Sequence, residues 1–364
     1  MKTRLILVGG FLGAGKTTLL WEAAQRLASR GLRVGLITND QAPELVDTAF
    51  LARGGVKVAE VNGSCFCCNF QGLLDAMSKV RAEAEADVLI AEPVGSCTDL
   101  SATIVQPLKD LCRRELVVSR LSVMADPVRL SNILDGGTAG LHPSAAYIFR
   151  KQLEEADLVV ISKSDLLTVD DMESLKSRLA QTYPGLEITT VSAKTGNGLD
   201  AWLDAVTTRS EPGRRIAEVD YDIYAEGEAV LGWLNATLTL RGRMTDWNLY
   251  AENLLRGLSQ RFDSMGAAVG HVKLMLETGD RFLIGNLTGE SKTLRIRSSA
   301  GNSSESRLTL NARVQMAPNT LENIVREVLV STNNGDLTIN EEAWQCLSPG
   351  RPKPTYRYDH VVTS

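Results

Sequence analysis

The chain has 364 residues, 44% of them hydrophobic and 23% charged, and carries a formal net charge of −5. That length gives room for two domains that each bury a proper core. The mildly acidic balance, with no basic patch standing out, argues against a nucleic-acid partner, and no stretch approaches the roughly twenty apolar residues that span a bilayer.

The first element is an apolar run, Leu5-Ile6-Leu7-Val8, behind a basic start. It has the outline of a leader peptide but breaks at Gly9-Gly10, so a buried first strand over 5–9 is expected. Residues 10–17 then read G-F-L-G-A-G-K-T, a phosphate-binding loop that opens a helix near Lys16. Gly10, Gly13 and Gly15 let the backbone curl so that successive N–H groups converge on one anion. Ala14 and Thr18 share that turn, and the helix start adds unpaired amides and a positive dipole end. Lys16 is expected on the β- and γ-phosphates and Thr17 on Mg²⁺. The ligand is therefore a nucleoside triphosphate.

Further strands are expected over 33–38, 56–61, 87–91, 116–125, 158–162 and 187–192, with helices starting near Asn69, Asp99, Ser144, Val169 and Leu199. Strands alternating with helices predict an α/β domain over 1–208 whose mostly parallel sheet is covered on both faces. A polar Pro-Gly segment, 209–217, reads as a linker. Beyond it, strands at 231–240, 270–276, 282–287 and 307–316 and helices at 246–265 and 321–331 predict a smaller α+β, ferredoxin-like domain over 218–345. The Gly/Ser/Asn stretch 298–306 reads as a loop, and 346–364 as an extended tail.

Four motifs carry chemistry. Asn39-Asp40-Gln41 ends the second strand, with Asp47 a few residues on; either Asp40 or Asp47 could orient an attacking water, or simply cap a helix. Gly63-Ser64-Cys65-Phe66-Cys67-Cys68 sets three thiols within four residues. With reduced cysteines in an expected cytoplasmic setting, that is a soft-metal site for a thiophilic ion, and a tetrahedral ion needs one more ligand. A partner protein, a second protomer, Asp40 or Cys97 could provide it, the second through a metal-bridged homodimer. Cys112, Cys346 and His271 are expected as packing residues. Glu92-Pro93-Val94-Gly95 follows an apolar strand, placing Glu92 near Mg²⁺ and the Gly95 N–H near the γ-phosphate.

The base reader is Ser162-Lys163-Ser164-Asp165: the Asp165 carboxylate would accept from guanine N1–H and the 2-amino group, and the Lys163 stem would cover the ring. Ser192-Ala193-Lys194 would offer backbone N–H to guanine O6. GTP is therefore expected in preference to ATP.

Taken together, G-F-L-G-A-G-K-T at 10–17, N-D at 39–40, C-F-C-C at 65–68, E-P-V-G at 92–95 and S-K-S-D at 162–165 resemble the CobW-like branch of the CobW/HypB/UreG P-loop GTPases. The resemblance implies slow GTP hydrolysis coupled to metal delivery, or to activation of a metalloenzyme or corrinoid protein, and a CobW-type C-terminal domain. It departs from the family at N-D-Q-A, where N-E-F-G is usual, at Ser162 in place of Asn, in lacking a histidine-rich tract, and in Cys97. The leading reading is a GTP-driven metallochaperone for Zn²⁺, with Co²⁺ second, that serves a client metalloprotein. The alternatives are a GTPase switch that remodels a corrinoid protein or methyltransferase, and a nucleotide-gated binding module.

Overall fold

The computed structural model describes residues 2–39, 46, 48, 51, 56–208, 212–289, 294–333 and 335–363. In the first half, β1 (Thr3–Gly9), α1 (Lys16–Ser29), β2 (Val34–Asn39), β3 (Lys57–Val61), α2 (Phe70–Ala84) and β4 (Val88–Glu92) are followed by a π-helical turn (Ser101–Val105) that runs into α3 (Gln106–Leu111). Then come β5 (Leu116–Val118), β6 (Ser122–Ala125), α4 (Pro127–Leu134), α5 (Pro143–Glu155), β7 (Leu158–Ile161), α6 (Val169–Thr182), β8 (Glu187–Thr190) and α7 (Leu199–Thr208). The strands form an eight-stranded sheet in the order β3-β2-β4-β1-β6-β7-β8, with β5 also on β1, and every pairing is parallel.

Both faces of that sheet are buried, as its near-continuous apolar strands require. One face packs against α2 and α5 through Phe66, Phe70, Leu73 and Phe149. The other packs against α1 and α7 through Leu20, Leu27, Trp202 and Val206. The crevice at the carboxyl ends of β1, β2 and β4, where strand order reverses, is where such sheets bind ligands.

The strand expected over 116–125 is two strands, β5 and β6, which pair with the two ends of β1. Polar anchors break the ladder between them: Ser119 donates to the Val206 carbonyl at 2.6 Å, buried Arg120 pairs with Glu187, and the Leu121 N–H donates to Asp157 at 2.8 Å. Two helices come in addition to those expected. Asp126 caps α4 by accepting from the Val128 and Arg129 N–H groups, with Pro127 at its first position. Asp220 caps α8 (Tyr221–Ala229) in the same way.

The second half comprises β9 (Gly232–Asp246), α9 (Trp247–Ser264), β10 (Val269–Thr278), β11 (Arg281–Leu287), β12 (Arg295–Ser299), β13 (Asn302–Val314), α10 (Pro318–Asn333) and β14 (Leu337–Leu347). They form a six-stranded antiparallel sheet in the order β12-β11-β10-β13-β9-β14. Strands β9, β10, β13 and β14 with α9 and α10 are the ferredoxin-like unit, and β11 and β12 extend one edge. Its core lies under the two helices, around Trp247, Leu254, Phe262, Ile324 and Val328. The loop expected over 298–306 is a tight turn at Ala300-Gly301, with Gly301 at φ 65°. The edge strand β14 lacks a clean alternation because most of it is exposed or half-exposed.

Residues 209–211 of the linker lie outside the described residues. From Gly213 and Arg214 their N–H groups donate to Asp157, which fastens the chain to the first domain. The tail after β14 is extended and lies back across the first domain. Its Thr355 N–H donates to the Cys67 carbonyl at 2.8 Å, its Tyr358 N–H to the Ala102 carbonyl at 3.0 Å, and Arg357 pairs with Asp99 at 2.7 Å. Among the described residues no helix is long and apolar enough to cross a membrane.

Candidate functional site

The phosphate loop is a backbone construction. Gly10, Gly13 and Gly15 stand at φ 124°, 80° and 91°, left-handed values that side chains disfavour. A Cβ on Gly10 would also run into the Met124 carbonyl. The Ala14 N–H closes the turn onto the Phe11 carbonyl at 3.2 Å. The buried Lys16 ammonium donates to the Gly10 carbonyl at 2.9 Å and stands 3.7 Å from Glu92. Thr17 Oγ1 lies 3.0 Å from Glu92 Oε2. That hydroxyl and carboxylate form a hard-oxygen pair of the kind Mg²⁺ takes. Gly95 closes the wall: a Cβ there would sit 2.9 Å from Lys16 Nζ and 2.7 Å from Leu12 Cδ2.

The roof of this cavity comes from the second domain. Thr18, Thr38, Asn39, Lys163, His271, Lys273 and Arg297 all line the same space. Lys273 Nζ lies 3.5 Å from Thr17 Oγ1, and Arg129 ties the Leu12 carbonyl (2.7 Å) to the Val269 carbonyl (3.0 Å). His271, expected as a packing residue, faces this cavity. Burial, reinforced by Lys273 and Arg313, holds its imidazole well below the ordinary range, so it is neutral. The available signal was His271-Val-Lys273, a pair at strand spacing that shares one face of β10.

At the base end, Lys163 is left-handed at φ 52° and donates to the Gly13 carbonyl at 3.0 Å and to Asp126 at 2.6 Å. Ser162 is buried, and its hydroxyl donates to the Ala125 carbonyl at 3.1 Å. The connection between base loop and phosphate loop is therefore made by Lys163. Asp165 is exposed and accepts from Ser192 Oγ at 2.7 Å. Ala193 is half-buried and Lys194 exposed beside it.

The cysteine loop follows β3. The sulfurs of Cys65, Cys67 and Cys68 lie within 4.8 Å of one another, so one ion could touch all three. Cys65 and Cys67 are buried and Cys68 is half-buried. Cys97 lies buried against them, and hydrogen bonds from the Cys65 and Cys67 thiols pull its own thiol down to about 7. The shared hydrogen bond with Cys65 pushes Cys68 up to about 11. The tail covers the outer side: the Lys353 N–H donates to Cys68 Sγ at 3.1 Å, and Tyr356 packs edge-on to Phe70 with ring centroids 5.2 Å apart. Cys112 packs against the first core and Cys346 against the second.

Asn39 joins the two places. It lines the phosphate cavity, and its carboxamide donates to the Val61 and Ser64 carbonyls (2.8 and 2.9 Å) and accepts from the Phe66 N–H at 2.8 Å. Asp40, Gln41 and Asp47 lie outside the described residues. Val46, between them, donates its N–H to Asn311 of β13 at 2.8 Å.

The nucleotide-binding domain profile of the CobW/HypB/UreG family matches residues 4–190. The zinc chaperone YeiR of Escherichia coli is 29% identical over 182 residues, which cover 48% of this chain and 50% of YeiR. The zinc chaperone CobW of Pseudomonas aeruginosa is 24% identical over 216 residues, 50% of this chain and 54% of CobW. The chain thus spans about half the length of the curated relatives it matches. Among solved structures, Zn(II)-bound YjiA GTPase from E. coli aligns over 90% of this chain and 99% of its own, at 15% identity and a TM-score of 0.33. HypB from Helicobacter pylori in complex with nickel aligns over 58% and 92%, at 18% and 0.40.

Proposed function

This chain belongs to the CobW/HypB/UreG family, and from that premise we propose that it is a GTPase whose nucleotide state controls a thiolate-bound metal ion destined for a client metalloprotein. The observation that carries this reading is Asn39, which borders the phosphate cavity and holds the cysteine loop by three hydrogen bonds. A rearrangement at the end of β2 on nucleotide exchange would be felt at Phe66, between the thiols.

In this reading the loop amides of 13–18 and Lys16 hold the phosphates. Lys163, Asp165, Ser192, Ala193 and Lys194 form the guanine end. Thr17 and Glu92 would hold Mg²⁺, which when bound neutralises charge on the β- and γ-phosphates. Gly95 would donate its N–H toward the γ-phosphate. Lys273 adds positive charge above Thr17, where it would face the phosphates. Asp40 or Asp47 would position the attacking water, and hydrolysis would be slow enough to serve as a timer. Cys65, Cys67 and Cys68 hold the cargo, Zn²⁺ ahead of Co²⁺, because three clustered thiolates suit both ions and zinc binds them more tightly.

The test is the Zn²⁺ and Co²⁺ affinity of the Mg²⁺-GTP-analogue and Mg²⁺-GDP forms, by competition with a chromophoric chelator. A difference of tenfold or more, about 1.4 kcal/mol of coupling, is expected. Equal affinities in the two forms would reduce the cysteines to a passive site and end the carrier reading.

A further inference from the structure

The second domain lays one face of its sheet over the phosphate loop. Along β10, Val272, Leu274 and Leu276 pack into the core under α9 and α10. His271 and Lys273 therefore share the opposite face, which turns to the phosphate cavity. Neighbouring strands carry polar side chains on that same face: Asn286 and Asn311 stand on either side of Lys273, and Arg295 stands beyond Asn286.

Glycines let β10 come down onto the loop. A Cβ on Gly270 would stand 3.0 Å from Leu12 Cδ1, and one on Gly13 would stand 3.2 Å from the Gly270 carbonyl oxygen. Arg129 pins the crossing through the Leu12 and Val269 carbonyls. Val46 adds a second tie: it packs on Met275 and Ile284, and its N–H donates to Asn311 at 2.8 Å. Held in this way, the strand carries Lys273 Nζ to 3.5 Å from Thr17 Oγ1. Among the described residues that line the cavity, the cations are Lys16, Lys163, Lys273, Arg295, Arg297 and Arg313, and the acid is Glu92. Such an excess suits a highly charged anion.

A cation on Thr17 and the Lys273 ammonium repel each other unless an anion lies between them. We propose, resting on the GTPase reading above, that Lys273 is a ligand of the terminal phosphate, supplied by the second domain of the same chain, and that it separates the triphosphate from the diphosphate form. In hydrolysis the oxygen of water bonds to the terminal phosphorus as the bond to the bridging oxygen breaks, and that electron pair leaves with the diphosphate. One water proton stays on the released phosphate and the other passes to solvent. Lys273 keeps its own proton throughout and neutralises charge on the terminal oxygens. Once the phosphate leaves, β10 loses that hold on the loop.

Equilibrium binding of a fluorescent, non-hydrolysable GTP analogue and of fluorescent GDP, both with Mg²⁺, to the full chain and its K273M variant tests this. K273M should weaken the analogue by about tenfold or more and shift GDP by no more than about twofold. Single-turnover hydrolysis should slow by about ten- to a hundredfold, and K273R, which keeps the charge, should recover part of both losses. Equal losses for the analogue and for GDP would put Lys273 on the phosphates they share and overturn the assignment. Wild-type affinity for both nucleotides in K273M would overturn it as well. Should K273M fail to fold, K273Q, which keeps a polar end, is read by the same ratio. A wild-type chain that binds neither nucleotide would sink the GTPase reading, and this assignment with it.

Discussion

The phosphate loop and the cysteine loop are both short runs of consecutive residues, yet they are built differently. The first is made by backbone: glycines at left-handed angles, amides turned inward, one lysine and one hydroxyl. Its walls come from further along the chain, from Thr38, Glu92, Gly95 and Lys163, but the loop that grips the anion is contiguous. The second is made by side chains whose surroundings arrive from far along the chain: Asn39 beneath, Cys97 alongside, Lys353 and Thr355 over the mouth. A site built from backbone is complete in its motif, whereas a site built from side chains takes its properties from its neighbours.

The sharpest way to break that comparison is to remove each set of donors and ask whether the other site notices. The triple change C65S/C67S/C68S should abolish tight Zn²⁺ binding while GTP-analogue affinity stays within about twofold, because the phosphate loop is held by its own backbone, Lys16 and Glu92. Loss of nucleotide binding in an intact fold, checked by calorimetry, would mean the two loops are one site. The converse, K16A, should weaken GTP-analogue binding by about ten- to a hundredfold, the equivalent of a charged hydrogen bond worth ~1.5–3 kcal/mol, and leave Zn²⁺ affinity of the nucleotide-free protein unchanged.

A smaller effect probes the cover. K353P deletes the N–H that faces Cys68. Metal uptake followed by stopped flow should quicken by about two- to fivefold, in line with one lost hydrogen bond of roughly 0.5–1 kcal/mol. An unaltered rate would show that the tail does not limit entry.

A further prediction concerns a support common to both loops. Glu155 accepts from Thr98 and from the Ser101 N–H, just past the segment that carries Gly95 and Cys97. Burial, with Asp99 adding repulsion, lifts its carboxyl to about 8. The folded state therefore keeps a proton that the unfolded chain releases near its ordinary carboxylate value. The stability this contributes is full below that value and is lost as pH rises toward 8. Urea unfolding should show stability falling between pH 5 and 9, and E155Q should flatten the slope. A slope of the opposite sign would show that Glu155 is ionised in the fold.

What the sequence made legible follows the same division. The parallel sheet, the phosphate loop and the ferredoxin-like second half announce themselves through periodicity and a contiguous motif. Helix α4 is absent from the elements expected above, although Asp126-Pro127, a cap followed by a proline at the first helical position, marks its start. The break at Ser119-Arg120-Leu121 was not, because its anchors, Asp157, Glu187 and Val206, lie tens of residues away. The roof of Lys273 and His271 was hidden for the same reason, since strand spacing gives the face a residue shares but not what the face meets. Nothing in Arg351-Pro-Lys-Pro354 says that the tail lies over a thiol.

Asn39 uses both amide donors and its acceptor on the cysteine loop. That makes it a stiff coupling, not a hinge: the end of β2 and the loop from Val61 to Phe66 must translate together, with no slack to absorb an ångström. An aspartate there would keep the size but lose two donors and set a negative charge against two carbonyls. The loop would keep its thiols and lose its linkage, like a gear still toothed but off its shaft.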